Sequence, residues 1–304
     1  MSDQITTAMI DTFNDGIEML AQQMSSKLRD RVRTESENGE RVAFDQVGVV
    51  SVKERTIRHQ DTQYINSPHR KRWVTMKDYD VADLLDVTDI IRILNDPTGE
   101  YARAFVAAFN RRRDADILLS ALGTAFTGKQ GTTPVTLPAS QQIAAGGSGF
   151  TLAKVEDAMS RLIGASVVDE ENPDIRVTIA WTSFQQKQFL QTNEVKSHDF
   201  NTQRVLVKGR LMRDDEFYGF NYINLEDWED EDGVLHRIVP KSGTTRSCVA
   251  WVNKGVLLNE PMSPMTTVDR MPGKKNSTQI LTQGTFGATR MQETMVVQID
   301  CLEA

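Results

Sequence analysis

Residues 96–123 constrain the fold most, because they carry the signals of one long, uninterrupted helix. Asp96 can cap the N-terminus, Pro97 suits the first helical position, and Gly123 suits a left-handed stop. At 1.5 Å per residue, a helix over residues 97–122 is about 40 Å long and exceeds the globular average. We therefore predict a helix that spans the molecule, with an apolar stripe on one face and a projecting basic cluster elsewhere on its surface. The stripe consists of Tyr101, Phe105, Ala108, Ala115, Leu119 and Leu122, and the cluster of Arg111, Arg112 and Arg113.

The chain before this helix predicts extended arms rather than a compact domain. Apolar residues recur every three or four positions between Ile5 and Leu28, which predicts an amphipathic helix. This helix either packs on its own core or lies on a neighbouring subunit. Residues 41–80 are rich in β-branched residues and predict paired strands, including the alternation over residues 50–56, with a turn at residues 66–68. Because this hairpin is too charged to form a core, we expect other chains to hold it.

The chain after the helix predicts a mixed α/β body. A glycine-rich loop leads to one helix that starts at Thr151, and Thr182 and Ser183 can cap another. Residues 220–225 and 234–239 predict a hairpin around an acidic turn, and residues 257–275 predict a loop. Further strands are predicted at residues 175–180, 247–253, 279–286 and 293–301.

Composition excludes several classes of protein. The 304 residues are 39% hydrophobic, which is enough for a core, and no run of about 18 apolar residues predicts a membrane span. The acidic N-terminus does not resemble a secretory signal, so we expect the chain to stay in the cytoplasm where it is made. A net charge of -7 argues against a surface that grips nucleic acid all over. Cys248 and Cys301 lie in strand-like runs and are predicted to be buried free thiols.

No motif supports catalysis, a metal or a cofactor. The spacing from Gly123 to Lys129 matches a phosphate-binding loop, but a helix precedes it and Gln130 replaces the hydroxyl residue that would hold magnesium. The acidic run over residues 226–232 does not fit a calcium loop. The four histidines lie at no metal-binding spacing from one another. We therefore predict that the chain is not an enzyme.

Charged residues concentrate in three places that are candidates for contacts between copies of the chain. Basic residues precede Trp73 and recur in the long helix, while an acidic hairpin tip lies elsewhere. A DNA-binding patch or ordinary solvated charge are the alternatives, and we favour complementary contacts between copies. The candidates for contacts between subunits are Arg70, Lys71, Arg72, Trp73, Arg111, Arg112, Arg113, Asp230, Glu231 and Asp232.

The order of these elements resembles the major capsid proteins of tailed bacteriophages, which share the Hong Kong 97 fold. Four segments carry the resemblance, and their order is more specific than any one motif. They are NDPTGEYARAFVAAFNRRRDADILLSALG (95–123), TIAWTSFQQKQFLQT (178–192), GRLMRDDEFYGFNYINL (209–225) and TFGATRMQETMVVQIDCLE (285–303).

The resemblance implies an α+β capsid fold and a structural role. It implies hexamers and pentamers that form an icosahedral phage head around double-stranded DNA contacted non-specifically, with a portal and separate scaffold and decoration proteins as partners. The subunit would assemble in the host cytoplasm and remain in the virion. An encapsulin-like cargo compartment is the alternative, followed by a nucleotide-binding enzyme. The implied parts are an N-terminal arm (1–40), an extended hairpin loop (41–80), a peripheral domain (81–150 and 260–304) containing a spine helix (97–122), and a mainly axial domain (151–259).

Overall fold

The computed structural model describes residues 22–55, 58, 61–62, 64–85, 98–168, 174–192, 206–207, 210–211, 219–230 and 233–303. Its helices are α1 (Thr98–Leu122), α2 (Leu152–Gly164) and α3 (Ser183–Gln191). Its strands are β1 (Arg33–Glu35), β2 (Arg41–Val47), β3 (His69–Thr75), β4 (Lys77–Leu85), β5 (Ala125–Thr127), β6 (Thr133–Val135), β7 (Gln142–Ile143), β8 (Val177–Trp181), β9 (Leu206–Val207), β10 (Arg210–Leu211), β11 (Phe220–Asn224), β12 (Trp228–Glu229), β13 (Leu235–His236), β14 (Lys241–Ser242), β15 (Thr245–Val252), β16 (Val256–Met271), β17 (Ser277–Arg290) and β18 (Val296–Leu302).

The chain divides into two compact units. The smaller unit contains residues 1–25, 78–110 and 264–284, and the larger one contains residues 26–77, 111–263 and 285–304. Helix α1 and the long strands β16 and β17 each contribute residues to both. None of the helices that the structure describes is long and apolar enough to cross a membrane.

The core of the larger unit is a six-stranded sheet with helices packed against it. The strand order is β11-β8-β15-β18-β7, and β14 pairs with β15. All five residues of β8 are buried, as expected for a strand that is covered on both faces. The rings of Phe150, Trp181 and Phe189 pack edge to face or tilted, with centroids 5.0–5.7 Å apart. Cys248 and Cys301 are buried and free, which confirms that part of the sequence analysis.

The predicted helix is confirmed over Thr98–Leu122, but its predicted apolar stripe is wrong. The predicted cap at Asp96 and first helical position at Pro97 lie outside the described residues. Leu119 is exposed, whereas Arg111, Arg113, Asp114 and Asp116 are buried. Consecutive residues from Arg113 to Leu118 are all buried, so the helix is enclosed on more than one face there and no single stripe can describe it. The apolar residues that are buried on α1 are Ala107, Phe109, Ala115, Ile117, Leu118 and Ala121.

The helix ends at a glycine for a different reason than predicted. Gly123 does not have a positive φ, so the left-handed stop is wrong. A Cβ at Gly123 would instead lie 2.7 Å from the carbonyl oxygen of Leu119. The side chain of Arg290 completes the helix end by donating to the carbonyl oxygens of Ala121 (2.7 Å) and Gly123 (2.8 Å). A buried cation therefore satisfies carbonyl groups at the negative end of the helix dipole.

The extended hairpin is confirmed in part. Strands β2 and β3 pair in antiparallel register from Arg41 opposite Thr75 to Val47 opposite His69. Residues 51–55, which alternate in sequence, are exposed and form no strand. Residues 22–28 are not helical, so the helix predicted for residues 5–28 is wrong over that part, and its remainder lies outside the described residues.

Two further predictions are wrong because distant segments decide the pairing. Strand β11 pairs in parallel with β8 rather than with residues 234–239, and the local hairpin is limited to β12 and β13. Residues 257–275 are mostly strand β16 instead of a loop. The pairing of β1 with β16 ends at Asn259, before Pro261 and Pro264, so these prolines need not donate hydrogen bonds to β1.

Buried carboxylates attach α1 to the start of the described chain and to β16. Asp114 accepts hydrogen bonds from the Ser26 hydroxyl (2.5 Å) and from the backbone N–H groups of Lys27 (3.0 Å) and Leu28 (3.2 Å). Glu260 pairs with the buried Arg113 and, at 3.2 Å, with Arg29. These bonds fix three segments that are far apart in sequence.

A second ionic cluster attaches the end of β18 to the loop before β12. Arg246 is buried and donates to both carboxylate oxygens of Asp227 (2.8 and 3.0 Å) and of Glu303 (2.7 and 3.1 Å). Lys241 also donates to Glu303, at 3.0 Å. The hydrogen bonds from Arg246 lower the pKa of Glu303 to about 2.

The Glu303 cluster predicts a defined loss of stability in acid. Since the folded-state pKa lies below the ordinary value of 4.5, the stabilising effect is complete above that pH and is lost as the pH falls toward about 2. Glu303→Gln should lower the free energy of unfolding by roughly 3 kcal/mol at pH 7 and flatten the dependence between these pH values. Urea unfolding of unassembled subunit measures this. The exposed Glu156→Gln is the control, and equal losses in the two variants would contradict the assignment.

The pair between Arg113 and Glu260 predicts a folding defect on removal of the cation. Arg113→Met leaves a buried carboxylate with only the partly exposed Arg29 and should cost roughly 3 kcal/mol of folding free energy. Arg103→Met, on the exposed surface of the same helix, should cost less than about 1 kcal/mol. The double variant Arg113→Met with Glu260→Met should recover part of the loss in urea unfolding, because no buried charge is left unpaired. Additive losses in the double variant would argue against this pairing.

Candidate assembly surface

The basic strand β3 divides its side chains between the surface and the interior. Arg70 and Lys71 are exposed, whereas Arg72 is buried and Trp73 is half-buried. Arg72 donates to the carbonyl oxygen of Met291 (3.1 Å) and pairs with Glu293 (2.7 Å). The direction of its side chain follows from strand alternation, which turns every second residue toward the core. Only Arg70 and Lys71 are therefore available to another molecule as charged groups.

Trp73 anchors the strand to a neighbouring turn. Its indole N–H donates to the carbonyl oxygen of Gly128 at 2.8 Å, and the Arg41 guanidinium lies 5.2 Å from the ring centroid. Arg41 also donates to the carbonyl oxygen of Gly131 at 2.8 Å. The turn between β5 and β6 thus packs on this ring, and both glycines have positive φ. The segment from Gly123 to Lys129, with its phosphate-loop spacing, therefore lies in a helix end, a short strand and a hairpin turn.

The three helix arginines do not form a projecting cluster, which corrects the sequence analysis. Arg113 is buried against Glu260, and its guanidinium lies 5.8 Å from the centroid of Phe286. Arg111 is buried over the ring of Trp228 at 4.5 Å, and burial lowers its pKa. Arg112 alone is exposed, although it pairs with Asp116 at 3.0 Å. Because each residue of a helix is rotated by 100° from the one before it, the three side chains lie on different faces. Their adjacency in sequence therefore does not make them a cluster on the surface.

The acidic turn also makes bonds within the chain. Glu226 accepts from the backbone N–H and hydroxyl of Ser183 at the start of α3 (2.6 and 3.1 Å). Trp228 stacks on His236 with 4.1 Å between ring centroids, and His236 bonds Asp230 at 2.8 Å. Glu226 and Glu229 remain exposed to solvent, as the sequence predicts for this acidic turn, although Glu226 and Asp230 also make bonds within the chain. Glu231 and Asp232 lie outside the described residues.

A group of exposed apolar residues in the extended loop was missed as a site by the sequence analysis. Val49 and Val52 are each 98% exposed and Tyr64 is 89% exposed, and none of them contributes to a core. The sequence does contain a signal for this group, because its valines belong to a β-branched run that has no apolar segment nearby to pack against. We call this group the loop patch, and it consists of Val47, Val49, Val50, Val52, Tyr64 and Ile65.

The candidate contact residues differ in their exposure within the subunit. Arg70, Lys71 and Arg112 keep exposed charges, and Arg70 and Lys71 belong to the same hairpin as the loop patch. In the part of the chain that the structure describes, no group of three or more His, Cys, Asp or Glu side chains is placed to hold a metal. The loop patch contains the most exposed large apolar side chains among the described residues, and internal packing does not explain them.

The fold is that of tailed-phage capsid proteins. Similar solved structures include the head of Helicobacter pylori bacteriophage KHP40 (10% identity, 99% of this chain and 98% of that chain, TM-score 0.73). The capsid of cyanophage P-SCSP1u matches with 11% identity over 99% of this chain and 95% of that chain, with a TM-score of 0.70. A structure from Mycobacterium phage Che8 matches with 16% identity over 94% and 98%, with a TM-score of 0.61. At these identities the likeness establishes the fold alone, an α+β fold of the Hong Kong 97 type.

The family is established by sequence. No curated protein matches the chain. The family described as phage capsid protein matches residues 5–303, which is nearly the entire sequence. The chain therefore belongs to the phage capsid protein family, and it is a major capsid protein that forms the shell of a phage head.

Proposed function

We propose that this capsid protein assembles through hexamers and pentamers into an icosahedral shell that encloses double-stranded DNA. The loop patch carries the proposal, because a subunit that works alone gains nothing by holding several valines and a tyrosine in water. Burying a valine side chain contributes about 1.5 kcal/mol or more, and every copy in a shell would repeat the gain. We infer that the patch lies on an adjacent subunit.

The hairpin that carries the loop patch has a paired base and an exposed end. Its base is fixed by seven residue pairs between β2 and β3 and by the packing of Trp73. Residues 49–55 beyond this ladder form no strand and are exposed. A fixed base and an exposed segment with three valines suit a loop that packs on a neighbouring subunit.

Exposed charges around the patch favour a specific orientation. Arg70 and Lys71 lie beside it on β3, and Lys71 pairs weakly with Asp45 across the strands at 3.4 Å. Rim charges of this kind steer association more than they strengthen it. We propose Arg70, Lys71 and Arg112 as contacts between subunits, while the internal bonds of Arg72, Arg113 and Asp230 favour a role for those residues in the subunit fold.

The proposed domain boundaries, partners and place of assembly rest on the resemblance to the phage capsid family. We propose that the peripheral domain comprises residues 81–150 and 260–304 and that residues 151–259 are mainly axial. A portal protein, and separate scaffold and decoration proteins, are the proposed partners, and DNA is contacted without sequence preference. We propose assembly in the host cytoplasm and a purely structural, non-enzymatic role in the virion.

Electron microscopy of the recombinantly expressed chain tests the shell directly. We expect closed shells, tubes, or rings of five or six subunits, because the chain carries its own inter-subunit loop. Light scattering gives the mass of the particles. A chain that remains a monomer or dimer even with a co-expressed scaffold protein would contradict the proposal, and shells filled with protein cargo would contradict the proposed DNA content.

Removing the apolar character of the loop tip should separate folding from assembly. Val49→Ser with Val52→Ser should change the free energy of unfolding by less than about 0.5 kcal/mol, because both side chains are already exposed. Shell yield should fall strongly, since the buried area between subunits is lost. Ile163→Ser, an exposed apolar position on α2, is the matched control for yield. Unchanged shell yield in the double variant would exclude the patch as an interface.

A further inference from the structure

We propose that the outer face of the sheet formed by β2, β3, β5 and β6 binds a second copy of this chain, and that it contacts a different surface of that copy. The inference rests on the proposed shell and adds to it a contact surface at the base of the extended hairpin. We call this surface the basic sheet face, and its central row consists of Ala43, Trp73, Phe126 and Pro134.

The register of the four strands places this row on one face of the sheet. Trp73 is paired with Ala43 on one side and with Phe126 on the other, and Phe126 is paired with Pro134. Because directly opposed residues of an antiparallel pair project to the same face, the four side chains lie side by side. The row crosses all four strands of the sheet.

The two faces of this sheet differ in burial. On the opposite face Val74 and Ala125 are buried, and Val74 packs with Leu257. On the basic sheet face Phe126 is 41% exposed, and Pro134 is exposed beside it. The solvated face of an antiparallel sheet normally carries polar residues, whereas aromatic residues are enriched in protein interfaces. The exposed aromatic residue therefore favours a contact surface.

The basic sheet face continues into the loop patch. Val47 ends β2 on this face, is 65% exposed and also belongs to the loop patch. A stable interface takes about 20–30 residues from each partner, and the loop patch has six. At about 4.8 Å between strands and 3.4 Å per residue, the basic sheet face adds roughly 300 Å². A copy that contacts the loop patch thus finds further area on the adjoining sheet.

The turn between β5 and β6 lies on the same face and fixes its cations. The carbonyl oxygen of Gly128 accepts the indole N–H of Trp73, and a Cβ at Gly131 would lie 2.7 Å from the ring. Arg41 donates to the carbonyl oxygen of Gly131 and lies 5.2 Å from the ring centroid. Groups that are held in this way lose little side-chain entropy on binding.

The charges of the face decide which surface it can bind. Arg41, Lys71 and the turn residue Lys129 are exposed, and Asp45, which pairs with Lys71, is the only carboxylate in the four strands and this turn. The face thus carries +2, and since the whole chain carries -7, the rest of the chain carries -9. Two copies of the face would bring like charges together, whereas another surface of the neighbour can be complementary.

A contact between two different surfaces repeats from copy to copy. Heterologous contacts of this kind close into rings when the rotation between copies allows it, whereas a face that binds itself stops at a dimer. Rings of five and six copies are the units of the proposed shell. We therefore place the basic sheet face between neighbours within one ring.

Photo-cross-linking from Phe126 tests both parts of the proposal. Phe126→p-benzoylphenylalanine replaces one aromatic side chain by a photoreactive one, and the full-length protein is irradiated after assembly. We expect a covalent ladder that extends beyond the dimer, because each copy presents both surfaces. Dissociated subunits of the same variant are the control and should give at least about tenfold fewer cross-links between chains, since the partner is no longer held nearby.

Three results would overturn the proposal. Cross-links confined to one chain would exclude a second copy, a product that stops at the dimer would make the face bind itself, and adducts to nucleic acid would give the face to packaged DNA. Each of these leaves the proposed shell intact when the wild-type chain assembles under the same conditions. A wild-type chain that forms no particles would overturn both proposals.

Shell yield provides a second test without a photoreactive residue. Phe126→Thr keeps a residue type suited to strands and should lower the yield at least about tenfold, as for the loss of an interface aromatic residue. Phe184→Thr removes a similarly exposed aromatic side chain from α3 and should leave the yield unchanged. The urea midpoint of the Phe126 variant should shift by less than about 0.5 M, which separates assembly from folding. Equal yields of the two variants would overturn the proposal.

Discussion

The fold depends on charges that are buried along α1 and paired there. Asp114 is inaccessible to solvent and accepts three hydrogen bonds from the segment that begins the described chain. Glu260, from β16, pairs with Arg113 of the same helix. Removing such groups from water costs several kcal/mol for each charge, so they contribute less to net stability than their short distances suggest. Their effect is on specificity, because any other register would leave a buried charge unpaired.

A buried charge with several hydrogen-bond partners also fixes the C-terminal end of α1. Arg290 is fully buried, and its guanidinium bonds the carbonyl oxygens of the last turn and that of Val135 in β6 (3.0 Å). Burial lowers the pKa of this arginine, and the nearby Glu293 acts in the opposite direction. One side chain from β17 thereby sets the position of the helix end and of the β5–β6 hairpin. A long helix is held at several points by ionic bonds to distant segments.

This arrangement separates the interactions that fold the subunit from those proposed to join subunits. Most of the charged residues in conspicuous clusters are used internally, as the contacts of Arg113, Arg246 and Asp227 demonstrate. The most exposed large apolar side chains, Val49, Val52 and Tyr64, lie in the extended hairpin loop. A shell protein benefits from this division, since internal bonds can fold the subunit while the loop patch still offers apolar area to a neighbour.

The sequence by itself determined the features that depend on local chemistry. These include the helix over Thr98–Leu122, the capping of α3 by Thr182, the pairing of strands within residues 41–80, and the buried thiols. Only the tertiary structure decided which charges are buried, that β11 joins β8 in parallel, and that residues 257–271 continue as a strand despite two prolines. The physical reason is that helix caps and turns are set by a few adjacent residues. The burial of Arg113, in contrast, depends on Glu260, which is 147 residues away and leaves no periodic signal in the sequence.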